Sequence, residues 1–540
     1  IREVLYAEAN PIRRRRLHAR ILEAIERIHA DRLDAHATDL AHHAVQAGAM
    51  EKGFDYSLRA VNRSESVYAH DEARRYADLA RECAEALGDR PRIVEAWRAR
   101  SRVESVSGAS AAAAAALVEA LPWVDDADQR NAIEVNIGLH YVSVGDHRGL
   151  PHLESVMQRL DTAADPDLAA RALSIRARYH HYDLEHERAL ELLVEARRLA
   201  AVKDNTGTLT SVMSYIAGAH QHMFQVDRSL AMGTELMEMG RARGNRFATA
   251  LGHEFIGEAK ALAGLWRESV AASEEVRRLG IEMGARDRIA WADFIAMYAR
   301  FQGGRLRRSL ADGRHGLELA VQIGELRLAA LIAGYLTHIL AELGERETWR
   351  AMADEATRLV EAAGQRWMHL LSRYCLAGAH LAEGDHVTAT KILADPGLRQ
   401  LGDNRAALIV GLGIRVECEL AAGRFESALG VAEQLATLGV ETKASFQEGI
   451  ARRVAAQACV ALGRWEEAMV EIRRAIALQE SHDHQFELAK SRAALADMLD
   501  ARRASGKFSP FENETLAEEA AAERVESVRL QHASRSGEMG

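Results

Sequence analysis

Twenty-three histidines in a chain of 540 residues raise metal chemistry first. The densest group is RYHHYDLEHERAL (178–190), which holds His180, His181, Glu185 and His186. A helical zinc hydrolase sets two histidines one turn apart around a glutamate, as HExxH. The spacing here is HxxxEH and supplies no such pair. His253-Glu254 lacks the second histidine, and His220 and His222, two apart, diverge on a helix. His36, His42 and His43 read as helix-surface side chains. The four cysteines, Cys83, Cys375, Cys418 and Cys459, stand singly without a CxxC pair or a flanking nucleophile motif. Gly411-Leu412-Gly413 lacks the third glycine and the preceding strand of a nucleotide loop. The sequence therefore points to no catalytic residue, no metal and no cofactor in this chain, and to a protein that is not an enzyme.

Composition says what elements are available. Hydrophobic residues are 48% and charged residues 27%, which describes a folded and not a disordered chain. Prolines number seven, none of them between Asp167 and Asp395, and aromatics are 5%, which argues against a many-stranded sandwich or barrel and for an all-α protein. The net charge is −10, with Arg and Glu interleaved as on solvated helix faces, so no nucleic-acid groove is expected. No apolar run reaches the roughly 18 residues of a membrane span. Single thiols and the absence of a signal peptide suggest a cytoplasmic location.

The elements recur every forty residues. A small residue stands at Gly149, Ala189, Ser229, Ser269, Ser309, Ala389, Ala428 and Ala468. Five residues earlier the later copies carry Gly264, Gly304, Gly344, Gly384, Gly423 and Gly463. A second punctuation half a period away reads Gly244, Gly284, Gly324, Gly364, Gly402 and Gly439, with Asp204-Asn205 and Asp165-Pro166 in the earlier copies. Glycine takes the positive φ that ends a helix. Between the breaks, apolar residues fall at i, i+3, i+4 and i+7, as in Leu328, Leu331, Ile332 and Tyr335. Each period is thus an antiparallel helix pair. The small residue admits its partner closely, and Trp266, Leu306, Phe425 and Trp465 plug the gap between pairs. One pair cannot bury both faces, so pairs stack into a solenoid.

The turn G-x-[WF]-x-x-[AS]-[LV], seen in AGLWRESV (263–270) and AGRFESAL (422–429), resembles the tetratricopeptide repeat, with a period of 40 in place of about 34. A HEAT array fits the length as well, but the turn residues favour the tetratricopeptide side. Segment 36–80 resembles the first repeats behind the ATPase of MalT-like and LuxR-type bacterial transcriptional activators and their cyclase-linked relatives. Segment 1–26 looks like the end of the winged helix that closes that ATPase. The phosphate loop, the acidic metal-binding strand and the helix-turn-helix are not found, so ATPase activity and DNA binding do not carry over.

This resemblance implies a right-handed superhelical solenoid. Residues 1–30 are then a linker remnant after a missing ATPase and 31–123 irregular helix pairs. Residues 124–500 hold about nine regular repeats, and 501–540 an acidic tail, a short helix or disorder. In that family the first helix of each pair lines the concave face. The shorter repeat's register places there Ser174 with Arg178, Ser214 with Gly218, Glu254 with Glu258, Phe294 with Tyr298, Gly334 with His338, Tyr374 with Gly378, Gly413 with Glu417, and Arg453 with Gln457. Polar ends around an aromatic middle suit a peptide, a partner helix or a small-molecule inducer. The function expected is a non-catalytic scaffold, the sensor arm of a signal-responsive regulator with an upstream ATPase module in the native protein. The alternative is a free-standing adaptor.

Overall fold

A computed structural model describes residues 10–67, 69–364, 366–399, 404–505 and 509–536. Every regular element among them is an α-helix or a short 3-10 turn, as the composition requires. The chain divides into two compact units, Ile1–Arg176 and Ala177–Gly540.

In the first unit, Leu22 of helix Pro11–Ile28 is buried with Leu40, Ala41 and Ala44 of Ala37–Ala47 and with Tyr56 and Ala60 of Met50–Ser66. The alanine-rich segment forms helix Ser110–Ala120, which buries Ala113, Ala114 and Ala116. It stops at the 3-10 turn Leu121–Trp123, where Pro122 lacks the N–H to continue.

The period is plain in the helices of the second unit. From Thr206 to Arg366 each first helix begins 40 residues after the last; the next begin at Arg405, Ser445 and Gln485. Several starts are capped by the residue type the position demands. The Asn245 and Asn404 side chains accept from the backbone N–H of Ala248 and Ala407. The small residue of the second helix is completely enclosed: Ala189, Ser229, Ser269, Ser309, Ala389, Ala428 and Ala468 are all 0% exposed. Trp349 holds that register in one repeat, buried, with its Nε1–H donating to Glu383 at 2.9 Å. Of the gap-filling residues, Trp266 and Leu306 are buried, while Phe425 and Trp465 are half-buried.

The turn position occupied by Gly264 and its successors is taken in two earlier repeats by Leu184 (φ 66°) and Phe224 (φ 56°). A bulky residue at positive φ is strained and persists only where its surroundings hold it. Both are buried against helices far along the chain. Leu184 lies with Leu370 and Tyr374, and Phe224 belongs to the cluster of Ile409 and Leu412.

Two sequence expectations need correction. Gly439 is not a turn residue: it lies inside Phe425–Thr442, packed against Glu448, and Lys443 takes the positive φ of 61°. Gly402 lies outside the described residues. The described part of the tail is longer than a short helix: Pro510–Ser536 is a 27-residue helix packed on Gln485–Ala504, with Leu530 buried and Ser527 Oγ donating to Ala489 O at 2.7 Å. Its Ala/Glu composition hid these few inward residues.

Within the second unit the solenoid comes back on itself. Ser445 Oγ donates to Ala263 O at 2.9 Å, and the buried His484 Nε2–H donates to Gly264 O at 3.0 Å. Arg267 and Arg305 both pair with Asp483, and exposed Lys443 pairs with exposed Asp227 at 2.7 Å. A Cβ on Gly304 would stand 2.6 Å from Phe486 N, whereas one on Gly284 would meet nothing within 4 Å. Both glycines have positive φ, 73° and 66°. Gly284→Ala therefore costs about 1–2 kcal/mol from backbone strain alone. Gly304→Ala carries the same strain plus the clash, so its melting temperature falls further; equal losses would mean the two turns do not touch. Stability also depends on His484. Burial holds its pKa at about 4, and a second proton on its buried, unpartnered Nδ1 would be stranded. The unfolded chain takes that proton below about pH 6.5. The contribution is therefore present above pH 6.5 and lost as pH falls from 6.5 to 4. Denaturation midpoints of His484→Gln should show a shallower slope across that window than the parent.

Candidate functional site

First helices of the second unit surround a cavity of about 350 Å³. Its wall is a repeated stripe. Leu251, Trp291, Leu331 and Leu371 line it at one register, Ser214, Glu254 and Phe294 three residues later, and Gly218, Glu258 and Tyr298 four beyond that. The spacing is one face of a helix, reproduced every forty residues. Asn404, Ala407, Val410 and Gln447 come from the returning turn and complete the wall. Asn404 also bonds His222 Nδ1 at 3.1 Å across 182 residues.

Aromatic rings dominate the middle. Phe294 and Tyr298 stack in parallel at 6.5 Å, Trp291 meets Phe294 edge-on at 5.8 Å, and Tyr335 lies 5.0 Å from Tyr298. Burial pushes the Tyr298 hydroxyl up to about 12, so it is neutral at working pH.

Charged groups sit on either side. Glu254 is buried and paired with buried Arg288. Glu258, one turn on, has the Gln221 amide and, farther off, the Arg288 guanidinium as the neighbours that favour its charged form. Burial, then the neighbouring Glu254, push its carboxyl up to about 8. Elsewhere on the wall Tyr182 Oη accepts from Arg327 at 2.9 Å and from buried Arg178 at 3.3 Å. Burial raises the Tyr182 hydroxyl, but the two guanidiniums outweigh it and bring it to about 8. Arg178 also lies over the Tyr215 ring at 5.2 Å.

The remaining concave-face residues go elsewhere. Ser174 is buried in the part of helix Pro166–Tyr182 that belongs to the first unit. Tyr374 is a packing residue: it covers Gly411, is 5% exposed, and its hydroxyl donates to Leu398 O at 3.4 Å. His338, Glu417, Arg453 and Gln457 line a second cavity of about 320 Å³ with Glu342 and Lys490. Its charges satisfy one another. Arg453 pairs with Glu417 and Glu487, and Lys490 with Glu342 and Glu487. Burial would raise the Glu342 carboxyl, but Lys490 holds it down at about 2. That cavity is an internal ion network.

The stripe missed by two-position register reasoning is the flanking one: Tyr215, Phe255, Ile295 and Tyr335, each beside a residue it did find. Arg288 and Arg327, in the first turns of their helices, were also missed. The forty-residue repeat of aromatic and apolar types at these positions was a readable signal. Tyr182, Trp367 and Asn404 carried none, because their place depends on how the turns close.

The histidine-rich segment abuts the cavity. His180 bonds Glu185 at 2.7 Å, the Nδ1 atoms of His181 and His186 face each other at 3.0 Å, and His181 and His222 reach the cavity wall. Burial, then His222 and His186, hold the His181 imidazole well below its usual pKa. In the first unit, His18 joins His42 and His43, with one nitrogen of each within 4.8 Å of the others, donors of the kind zinc takes. All four cysteines are buried, and burial pushes the Cys375 and Cys418 thiols up to about 12. No described helix is long and apolar enough to cross a membrane.

No protein-family model and no curated protein matches the chain. Among solved structures it is similar to the APC/C hetero-tetramer Cut9-Hcn1, at 13% identity over 96% of this chain and 92% of that one, with a TM-score of 0.55. It is also similar to a Rap protein complexed with competence and sporulation factor, at 11% identity over 74% of this chain and 99% of that one, with a TM-score of 0.46. The fold is that of a tetratricopeptide-like solenoid.

Holding Glu258 protonated has a measurable consequence. The unfolded carboxyl ionises above about pH 4.5 while the folded one waits until about 8. Stability from this group is thus full below pH 4.5 and lost as pH rises to 8. Glu258→Gln should melt higher than the parent, by a margin that grows from pH 5 to pH 8. A margin that shrinks with pH would contradict the assignment.

Proposed function

We propose that this chain is a non-catalytic tetratricopeptide scaffold whose lumen receives a ligand, and that it serves as the sensor arm of a larger signal-responsive regulator. The observation that carries the reading is the cavity itself. It is walled by one turn of first helices, closed by the next turn, and lined by aromatic rings with a raised carboxyl among them. Buried aromatic surface with a few convergent polar groups is the usual make-up of a ligand site. Strained Phe224 on the cavity wall supports it, since backbone strain collects where a site requires it. A solenoid suits the output, because small rotations per repeat add along its length. The arm reading rests on the resemblance of segments 1–26 and 36–80 to MalT-like and LuxR-type regulators. A likeness in fold to Cut9, one partner in a hetero-tetramer, supports the second reading, a free-standing adaptor.

Antibody against this chain should detect a native product well above its own 59.4 kDa in source-cell extract. A product at that mass would favour the adaptor. Ligand entry should quench or shift tryptophan emission, since Trp291 and Trp367 line the lumen. Gly218→Leu, which fills space where a Cβ would meet only Phe255 at 3.9 Å, should abolish that response without unfolding the chain.

A further inference from the structure

The charges around the lumen are arranged with a gap, and the gap describes a molecule. Residues 178, 218 and 258 occupy the same register on three successive first helices. They are arginine, glycine and glutamate. Gly218 contributes no side chain and leaves open space between the other two.

On the arginine side, Arg178 and Arg327 converge on the Tyr182 hydroxyl. A guanidinium has only donors, so both bonds are accepted by one phenolic oxygen. Arg327 also donates to Glu325 at 3.0 Å. Arg178 is 7% exposed, and its Nε is buried without a hydrogen-bond partner. One buried cation, Arg178, and one half-buried cation, Arg327, thus share one carboxylate and a tyrosine. Buried charge of one sign is costly unless it is matched, so this end is short of an anion. The lowered pKa of Tyr182 expresses the same deficit.

On the glutamate side, Glu254 takes the ion pair with Arg288, while Glu258 has the Gln221 amide beside it and only the more distant pull of the same Arg288. Phe255, Phe294 and Tyr298 surround this end of the wall. A carboxyl beside aromatic faces is the environment that holds an organic cation, by ion pairing and by cation–π attraction.

We propose that the lumen binds a zwitterion: an amino acid or short peptide whose carboxylate meets Arg327 and Tyr182, with Arg178 behind the Tyr182 hydroxyl, and whose ammonium meets Glu258, with its apolar body against the rings between. This deepens the ligand-receiving reading above and depends on it. The volume of about 350 Å³ is at the small end for ligand sites, which limits the occupant to a few residues. The ammonium would stabilise the Glu258 carboxylate, so binding releases a proton near neutral pH.

The test is a thermal-shift and tryptophan-fluorescence screen of the full chain against free amino acids and dipeptides, each also N-acetylated, C-amidated and doubly blocked. A free zwitterion should bind, and blocking either end should weaken it about tenfold or more, the worth of one charge-assisted bond. Arg327→Gln should bind the free and amidated forms equally, and Glu258→Gln the free and acetylated forms equally. Circular dichroism and melting of each variant would show that it is folded. Doubly blocked probes binding as well as free ones would overturn the proposal. Small molecules carried by the protein purified from source cells, but not by Gly218→Leu, separate the two levels. A neutral or singly charged passenger defeats the zwitterion and leaves the lumen reading standing; no passenger and no binding probe defeats both.

Discussion

The close approach of one solenoid turn to the next, at Gly264 and Gly304, is the contact on which the second unit depends. A side chain at Gly304 would strike the backbone at Phe486, and one at Gly264 would strike Ser445. With glycine there, the later turn reaches the carbonyls at Ala263 and Gly264 directly. Remove the approach and the first helices would still stack, since their enclosed small residues see to that. The lumen would then lose its far wall, and Asn404 and Gln447 with it.

Much of the architecture could be read from the chain. Ser229, Ser269 and Ser309 at intervals of forty gave the helix pairs and their stacking. The concave register also found Glu254, Glu258, Phe294 and Tyr298, because a period-40 stripe on a helix face needs only local geometry. What it could not distinguish was a stripe facing open space from one facing the next turn. Glu417 obeys the register of Glu258 and Arg453 that of Glu254, yet they neutralise each other and Glu487 in an ion network. The difference lies in Lys490 and Glu342, 148 residues apart and brought together by closure. Likewise Gly439 and Lys443 could not be told apart as turn residues, since packing against Glu448 and a positive φ both favour glycine.

Closure also explains where strain is placed. Leu184 and Phe224 stand where later repeats have glycine, and each reaches a hydrophobic cluster built from helices near residue 370 or 410. Contact area across the turn offsets the backbone conformation. The first helices Pro166–Tyr182 and Arg246–Leu262 carry Arg178 and Glu258, which have no ion pair of their own, so strain and incomplete pairing sit around one cavity. Folded proteins concentrate such exceptions where something binds.

The central claim, that successive turns touch and roof the lumen, has a direct test in the exposed Asp227–Lys443 pair, 216 residues apart in sequence. Cysteines at both positions would react with a short bis-maleimide while the four native cysteines stay buried. The account predicts rapid cross-linking within one chain, seen as a compact band on a denaturing gel and abolished in denaturant. Two separate single modifications, with no loop closed in the native protein, would mean an open spring and contradict it.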